Sequence, residues 1–291
     1  MSQEPPPQPR PDRAAATLRA LRRAWRLPGA IGLLLAGLAW QAAVFPWASA
    51  RLRERSIGAW SRMLLAVCGV RVEIDPAGPL PGGALLVANH RSWLDIFVIH
   101  AVGPAQFVAK AEIRRWPVAG WLVALAGTHF IERHRRHAVH EVLGRIERAL
   151  RDGRRVGVFP GGTTDDGRTM PRWHANLLQA ALDAPAPVLP LALRYLDVRG
   201  AEADAVLYVG DVGFGESFWR VIGEPGLRAR IARLAPIGPQ AGQSRHAVTR
   251  AAEAAVRAEL GLAPPAAWRP GSDGAPRSPG STAARRPRPG S

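Results

Sequence analysis

The chain has 291 residues, 47% of them apolar, enough for one sizeable domain with extensions. Its formal net charge of +16 is carried almost wholly by arginine, with Lys110 the one lysine. That charge favours polyanionic partners: anionic lipid, a phosphorylated substrate, an acidic carrier or nucleic acid. A single cysteine, Cys68, excludes an internal disulfide framework and a cysteine-based zinc site.

Residues 1–28 are Pro-rich and then Arg-rich, a basic N-terminus that reads as flexible until about Ala14. The run LPGAIGLLLAGLAWQAAVFPWASA, residues 27–50, carries no charge, and about 20 such residues can span a bilayer core as a helix. Trp40 and Trp47 suit the interface. Arginines flank the run on both sides, so loop charge gives no orientation, and the segment suits a tilted anchor or a helix that enters and leaves one leaflet. The next stretch, RLRERSIGAWSRMLLAVCGV, has apolar residues at helical spacing. It reads either as an interfacial amphipathic helix or as a helix packed on the domain surface. Residues 29–70 are therefore expected to form a membrane-anchoring helical segment, with a transmembrane helix in the uncharged run.

From residue 71 short β-branched runs alternate with helical stretches. Strands are expected at 70–74, 84–89, 105–110, 128–133, 155–160, 187–195, 205–211 and 228–237. Helices are expected near 93–102, 111–125, 137–151, 173–183, 215–222 and 244–260. This alternation defines an α/β domain over 71–261, with ligands bound at strand carboxyl ends. Residues 262–291, rich in Pro, Gly, Ser and Arg, are expected to be a disordered basic tail.

Three loops carry chemistry. In ANHRSWLD, residues 88–95, Asn89 and His90 end a strand and Ser92 opens a helix. Ser92 and Asp95 have capping-box spacing. Asp95 can hold the helix start and still reach His90, and a histidine held by a carboxylate is a competent general base near neutral pH. No Gly-x-Ser-x-Gly elbow supplies an enzyme nucleophile, so the activated group is expected to be a substrate hydroxyl. In GTHFIERHRR, residues 127–136, Arg133 can bind an anionic group through its planar fork. His134, His137 and His140 have no second cluster to complete a metal site. In VFPGGTTDDGR, residues 158–168, Gly161 and Gly162 allow backbone N–H groups to approach a phosphate, although turns use the same residues.

Together these motifs resemble the glycerophospholipid acyltransferase family. Asn89, His90 and Asp95 match its Asn-His-x4-Asp motif. Gly127, Phe130, Ile131 and Arg133 match its Gly-x-x-Phe-Ile-x-Arg motif. Phe159, Pro160, Gly162 and Thr163 match its Phe-Pro-Glu-Gly-Thr motif, in which Gly161 stands in place of the glutamate. VLPLAL, with Pro190, resembles its apolar fourth motif.

The resemblance covers about residues 50–240. It implies a mixed, largely parallel sheet flanked by helices, of the glycerol-3-phosphate acyltransferase type. It implies transfer of a fatty acyl group from acyl-CoA or acyl-carrier protein to 1-acylglycerol 3-phosphate, giving phosphatidate, at the cytoplasmic face of the cell membrane. The partners would be a lysophospholipid, the acyl carrier and the membrane, with no metal or other cofactor and no nucleic acid. By the same resemblance His90 is the base and Asp95 its orienting partner. Asn89, Arg133, Gly161, Gly162 and Thr163 would bind substrate. Lyso-ornithine lipid or another lysolipid is the alternative acceptor, and a catalytically impaired lipid- or carrier-binding protein is the reading from a different class.

Overall fold

A computed structural model describes residues 13–76, 78–112, 128–131, 136–238 and 242–264. Among these residues seven strands form one sheet in the order β1-β7-β6-β2-β5-β3-β4. They are β1 (Val70–Asp75), β2 (Leu85–Ala88), β3 (Gln106–Lys110), β4 (His129–Ile131), β5 (Val156–Val158), β6 (Val188–Leu196) and β7 (Leu227–Arg233). Every neighbouring pair is parallel except β6 and β7. The central strands β2 and β5 are buried at every position, as expected for parallel strands covered on both faces.

Alternation along β2 divides the core. Leu86 and Ala88 face one layer, with α2 (Ala50–Val67), α3 (Leu94–Val102) and α6 (Phe214–Val221). Leu85 and Val87 face the other, with α4 (Arg136–Arg151), α5 (Gln179–Asp183) and α7 (Arg245–Leu260). Pro190 lies inside β6, where it cannot donate to a ladder. It falls at a break in the β6–β7 pairing, between the Val188–Ile237 bridge and the Leu191–Arg233 pair. Because β2, β5 and β6 are parallel, the loops after all three emerge at the same end of the sheet.

The N-terminal half departs from the sequence reading. Helix α1 runs Arg13–Ala43 among the described residues, so the helix is already formed where the flexible reading ends, at about Ala14. The uncharged run is then cut by a 3-10 turn at Phe45–Trp47, with Pro46 inside it, before Ser49 caps α2 through its side chain. Among the described residues no helix is long and apolar enough to cross a membrane, which corrects the expected transmembrane helix. Instead α1 and α2 form a hairpin: Trp60 Nε1 donates to Leu33 O at 3.1 Å and Trp40 Nε1 to Ser56 Oγ at 3.2 Å.

Arginines of α1 tie this hairpin to the end of α6. Arg23 Nε donates to Trp219 O at 3.1 Å, and Arg26, itself buried, donates to Ile222 O at 3.3 Å and Glu224 O at 2.6 Å. A helix carboxyl end exposes carbonyls without helical partners, and guanidinium groups satisfy them while complementing the helix dipole.

Two further expectations fail. The stretch 205–211 is a 3-10 turn at Asp204–Val206 followed by irregular chain; Val206 alone is buried there, and Gly210 takes a positive φ. The 173–183 helix is a 3-10 turn, Asn176–Leu178, followed by the short α5. Most of the expected 111–125 helix, and the tail from 265, lie outside the described residues.

Candidate active site

His90 sits just beyond β2, where its ring is 22% exposed, while the Asp95 side chain is fully buried. His90 Nδ1 and Asp95 Oδ2 are 2.7 Å apart. A carboxylate only accepts, so the hydrogen is on Nδ1 and Nε2 is the nitrogen available to a substrate. The same Oδ2 accepts from the backbone N–H groups of Arg91 (2.7 Å) and Ser92 (3.0 Å). Asp95 Oδ1 accepts from the Tyr195 hydroxyl at 2.6 Å. Four donors thus compensate a charge that burial would otherwise make costly.

The capping-box expectation holds in one half. Asp95 reaches back to the Ser92 N–H, but Ser92 Oγ accepts from Leu94 N rather than from Asp95 N. Asp95 therefore belongs both to the helix start and to the histidine pair.

Tyr195 was read only as part of a packed strand. It is the one tyrosine of β6, fully buried near the strand's carboxyl end. Burial and the neighbouring Asp95 push its phenol well above the ordinary value, so it stays protonated and donates. A hydroxyl-bearing ring at the carboxyl end of an aliphatic strand was the signal that could have found it.

The Asn89 side chain accepts from Leu193 N at 2.8 Å and donates to Leu193 O at 3.0 Å, and the residue is buried. These bonds clamp the end of β2 to β6.

The loop after β5 lies against this pair. Phe159 stacks on His90 with ring centroids 4.0 Å apart and planes inclined by 12°. Asp165 N donates to His90 O at 2.7 Å. Gly162 turns the chain with φ +75, and its N–H donates to Phe159 O at 3.0 Å. That N–H closes the turn after β5. Gly161 has no positive φ, and a Cβ there would meet only the Pro171 side chain at ordinary contact distance (3.5 Å). The backbone at 161 is therefore compatible with a glutamate. Thr163 is exposed. Arg133 and Gly127 lie outside the described residues.

Two further charged residues lie near the pair. Arg91 is buried and pairs with Glu202 at 2.5 Å, while its Nη2 donates to Asp166 O at 3.4 Å. The Arg91 guanidinium lies directly over Gly167, which has φ +75 and where any side chain would clash. Asp165 is also buried; its Oδ1 accepts from Gly167 N at 2.9 Å, and burial raises its carboxyl to about 6.

The class defined by this fold and pair appears in the comparisons. A family model described as Acyltransferase matches residues 70–194. The chain is 36% identical over 207 residues to the 1-acyl-sn-glycerol-3-phosphate acyltransferase of Neisseria meningitidis, covering 71% of this chain and 81% of that one. It is also 36% identical over 249 residues to the lyso-ornithine lipid O-acyltransferase of Pseudomonas aeruginosa, covering 84% and 95%. The crystal structure of the 1-acyl-sn-glycerophosphate (LPA) acyltransferase of Thermotoga maritima has the same fold, with a TM-score of 0.67 at 19% identity over 85% of this chain and 96% of that one. The chain belongs to the glycerophospholipid acyltransferase family and is an O-acyltransferase.

Proposed function

We propose that this protein transfers a fatty acyl group from a thioester, acyl-CoA or acyl-carrier protein, to the free hydroxyl of a lysolipid at a membrane surface. The observation that carries the reading is the 2.7 Å His90–Asp95 pair, with the carboxylate held by three further donors and the ring open on its other side. His90 Nε2 takes the proton of the acceptor hydroxyl as its oxygen attacks the thioester carbonyl. Asp95 fixes the ring and stabilises the imidazolium. The intermediate collapses by breaking the carbon–sulfur bond, and the imidazolium returns the proton to the leaving thiolate. The products are an ester and a free thiol, and the reaction needs no cofactor beyond its two substrates.

One acceptor is 1-acylglycerol 3-phosphate, giving phosphatidate, with Arg133 and the loop at Gly161, Gly162 and Thr163 toward the phosphate. Lyso-ornithine lipid is the second, supported by how far the alignments extend. Relatives named for it in Pseudomonas aeruginosa and Rhodobacter capsulatus align with 84% and 90% of this chain, against 71% for the Neisseria meningitidis relative. Gly161, in place of the family's glutamate, also supports a changed acceptor.

Attachment is proposed at the cytoplasmic face of the cell membrane, where the acyl carriers are. It is supported by where large apolar side chains are exposed. Among the described residues these lie, Val198 aside, on α1, the following turn, α2 and α6, and include Trp25, Trp40, Trp47 and Trp219. Tryptophan and arginine together suit helices lying in the interface. Deleting residues 1–50 should release the protein from membranes or aggregate it; recovery of the intact chain in solution without detergent contradicts the attachment. The function itself is tested by acyl transfer in membranes containing the protein, with lysophosphatidate and lyso-ornithine lipid offered in parallel. Ester formation on one of them is expected, and none on either contradicts the proposal.

A further inference from the structure

The loop after β5, the segment after β6 and α6 line an open hollow of about 320 Å³. Its lining combines two carboxylates, Asp166 and Asp204, with two guanidinium groups, Arg168 and Arg220, and aliphatic walls that include Leu207 and Val212. Arg220 is steadied by Glu216 one turn earlier on α6.

The wall of the hollow is tied to the loop that carries His90. Asp166 follows Asp165, whose N–H donates to His90 O, and Arg91 beside His90 donates to Asp166 O. The Thr164 hydroxyl bonds the Tyr208 carbonyl and so fastens the two walls together. Trp93 at the start of α3 donates to Ser217 of α6 at 3.2 Å.

The Asp166 carboxylate is fixed in place. Its Oδ1 accepts from the Arg168 and Thr169 N–H groups and from the Thr169 hydroxyl at 2.9–3.0 Å. The Thr169 backbone N–H, with its neighbours, holds that carboxyl below the usual range, so it remains charged at working pH.

In a chain of net charge +16, a lining with two charges of each sign is a local exception. A phosphate monoester, close to a dianion, gains no net attraction there and meets a fixed carboxylate. A group that carries an ammonium and a carboxylate on a short aliphatic spacer finds a partner for each part.

We infer that this hollow is the head-group subsite of the acceptor and that it selects a zwitterionic, amino-acid-bearing lysolipid over a phosphate monoester. The inference rests on the acyl-transfer reading above. Asp166 and Asp204 receive the ammonium, Arg168 and Arg220 the carboxylate, and Leu207 and Val212 line the spacer between them.

The test compares kcat/KM on lyso-ornithine lipid and on lysophosphatidate for the full-length protein and for Asp204→Asn, Asp204→Lys and Asp166→Asn. The wild type should prefer the zwitterion. Each variant should lower that preference by about tenfold or more, mainly through KM on lyso-ornithine lipid, with the largest change for Asp204→Lys. Asp204→Asn alters an exposed side chain, so its result stands if Asp166→Asn disturbs the loop. Wild-type preference for lysophosphatidate, or an unchanged ratio in both Asp204 variants, overturns the subsite and leaves acyl transfer standing. Transfer to neither acceptor by the wild type overturns both.

Discussion

The loops after β2 and β5 leave the sheet side by side, yet they are held in different ways. Near His90 the partners are buried: Asn89 is locked to Leu193, and Asp95 accepts from the ring, two backbone N–H groups and Tyr195. In the loop from Phe159 to Arg168, Phe159 and Asp165 dock on His90, while Thr163 and Arg168 face solvent and Gly161 has room for a side chain. A change in the first loop breaks several buried bonds together. A change at the exposed positions of the second alters what the loop presents and leaves its anchors intact. On the proposed function, the step common to all acceptors is assigned to the first loop and acceptor choice to the second.

This contrast predicts different kinetic signatures. His90→Ala should lower kcat/KM by about a thousandfold for every acceptor, without changing the ratio between acceptors. A ratio that moved with the rate would blur the division, and normal turnover would remove His90 as the base. Tyr195→Phe should slow transfer about 10- to 100-fold, again equally for all acceptors, and cost about 1.5–3 kcal/mol of stability measured by denaturant unfolding. Gly161→Glu acts on the other loop. It should raise activity on lysophosphatidate by about tenfold, with folding unchanged. Equal or lower activity would make Gly161 an adaptation to this chain's acceptor.

A separate effect, on the pH dependence of stability, is expected at Asp165. Burial lifts its carboxyl from 3.8 to about 6 in the folded protein. Between those values the folded protein holds a proton that the unfolded chain has released, so stability falls as pH rises through that window and stays lower above it. Asp165→Asn should flatten that fall and leave the variant the more stable protein at pH 8, by up to about 3 kcal/mol. Parallel stability curves for the two proteins from pH 4 to pH 8 would contradict this.

Much of the site was legible because it depends on spacing. The five-residue step from His90 to Asp95 spans a strand end and the first turn of a helix, which brings the two side chains together. What escaped depends on contacts distant in sequence. Tyr195 meets Asp95 100 residues away, and Arg91 meets Glu202 111 residues away. Only strand order makes those neighbours. The bonds of Asn89 to Leu193, 104 residues away, are likewise invisible in the sequence. The uncharged 27–50 run misled for a related reason. Hydropathy registered its length, while the turn at Pro46 and the Ser49 cap end α1 at Ala43 and leave only Ala50 of the run in α2.

The central claim is that His90, held by Asp95, activates a lysolipid hydroxyl against a thioester. Its most direct test follows thiol release and ester formation together, with acyl thioester supplied in the presence and absence of lysolipid, for the wild type and His90→Ala. One thiol released per ester formed is expected, only when lysolipid is present, and almost none from His90→Ala. Thiol release by the wild type that is independent of lysolipid, or equal ester formation by His90→Ala, would contradict it.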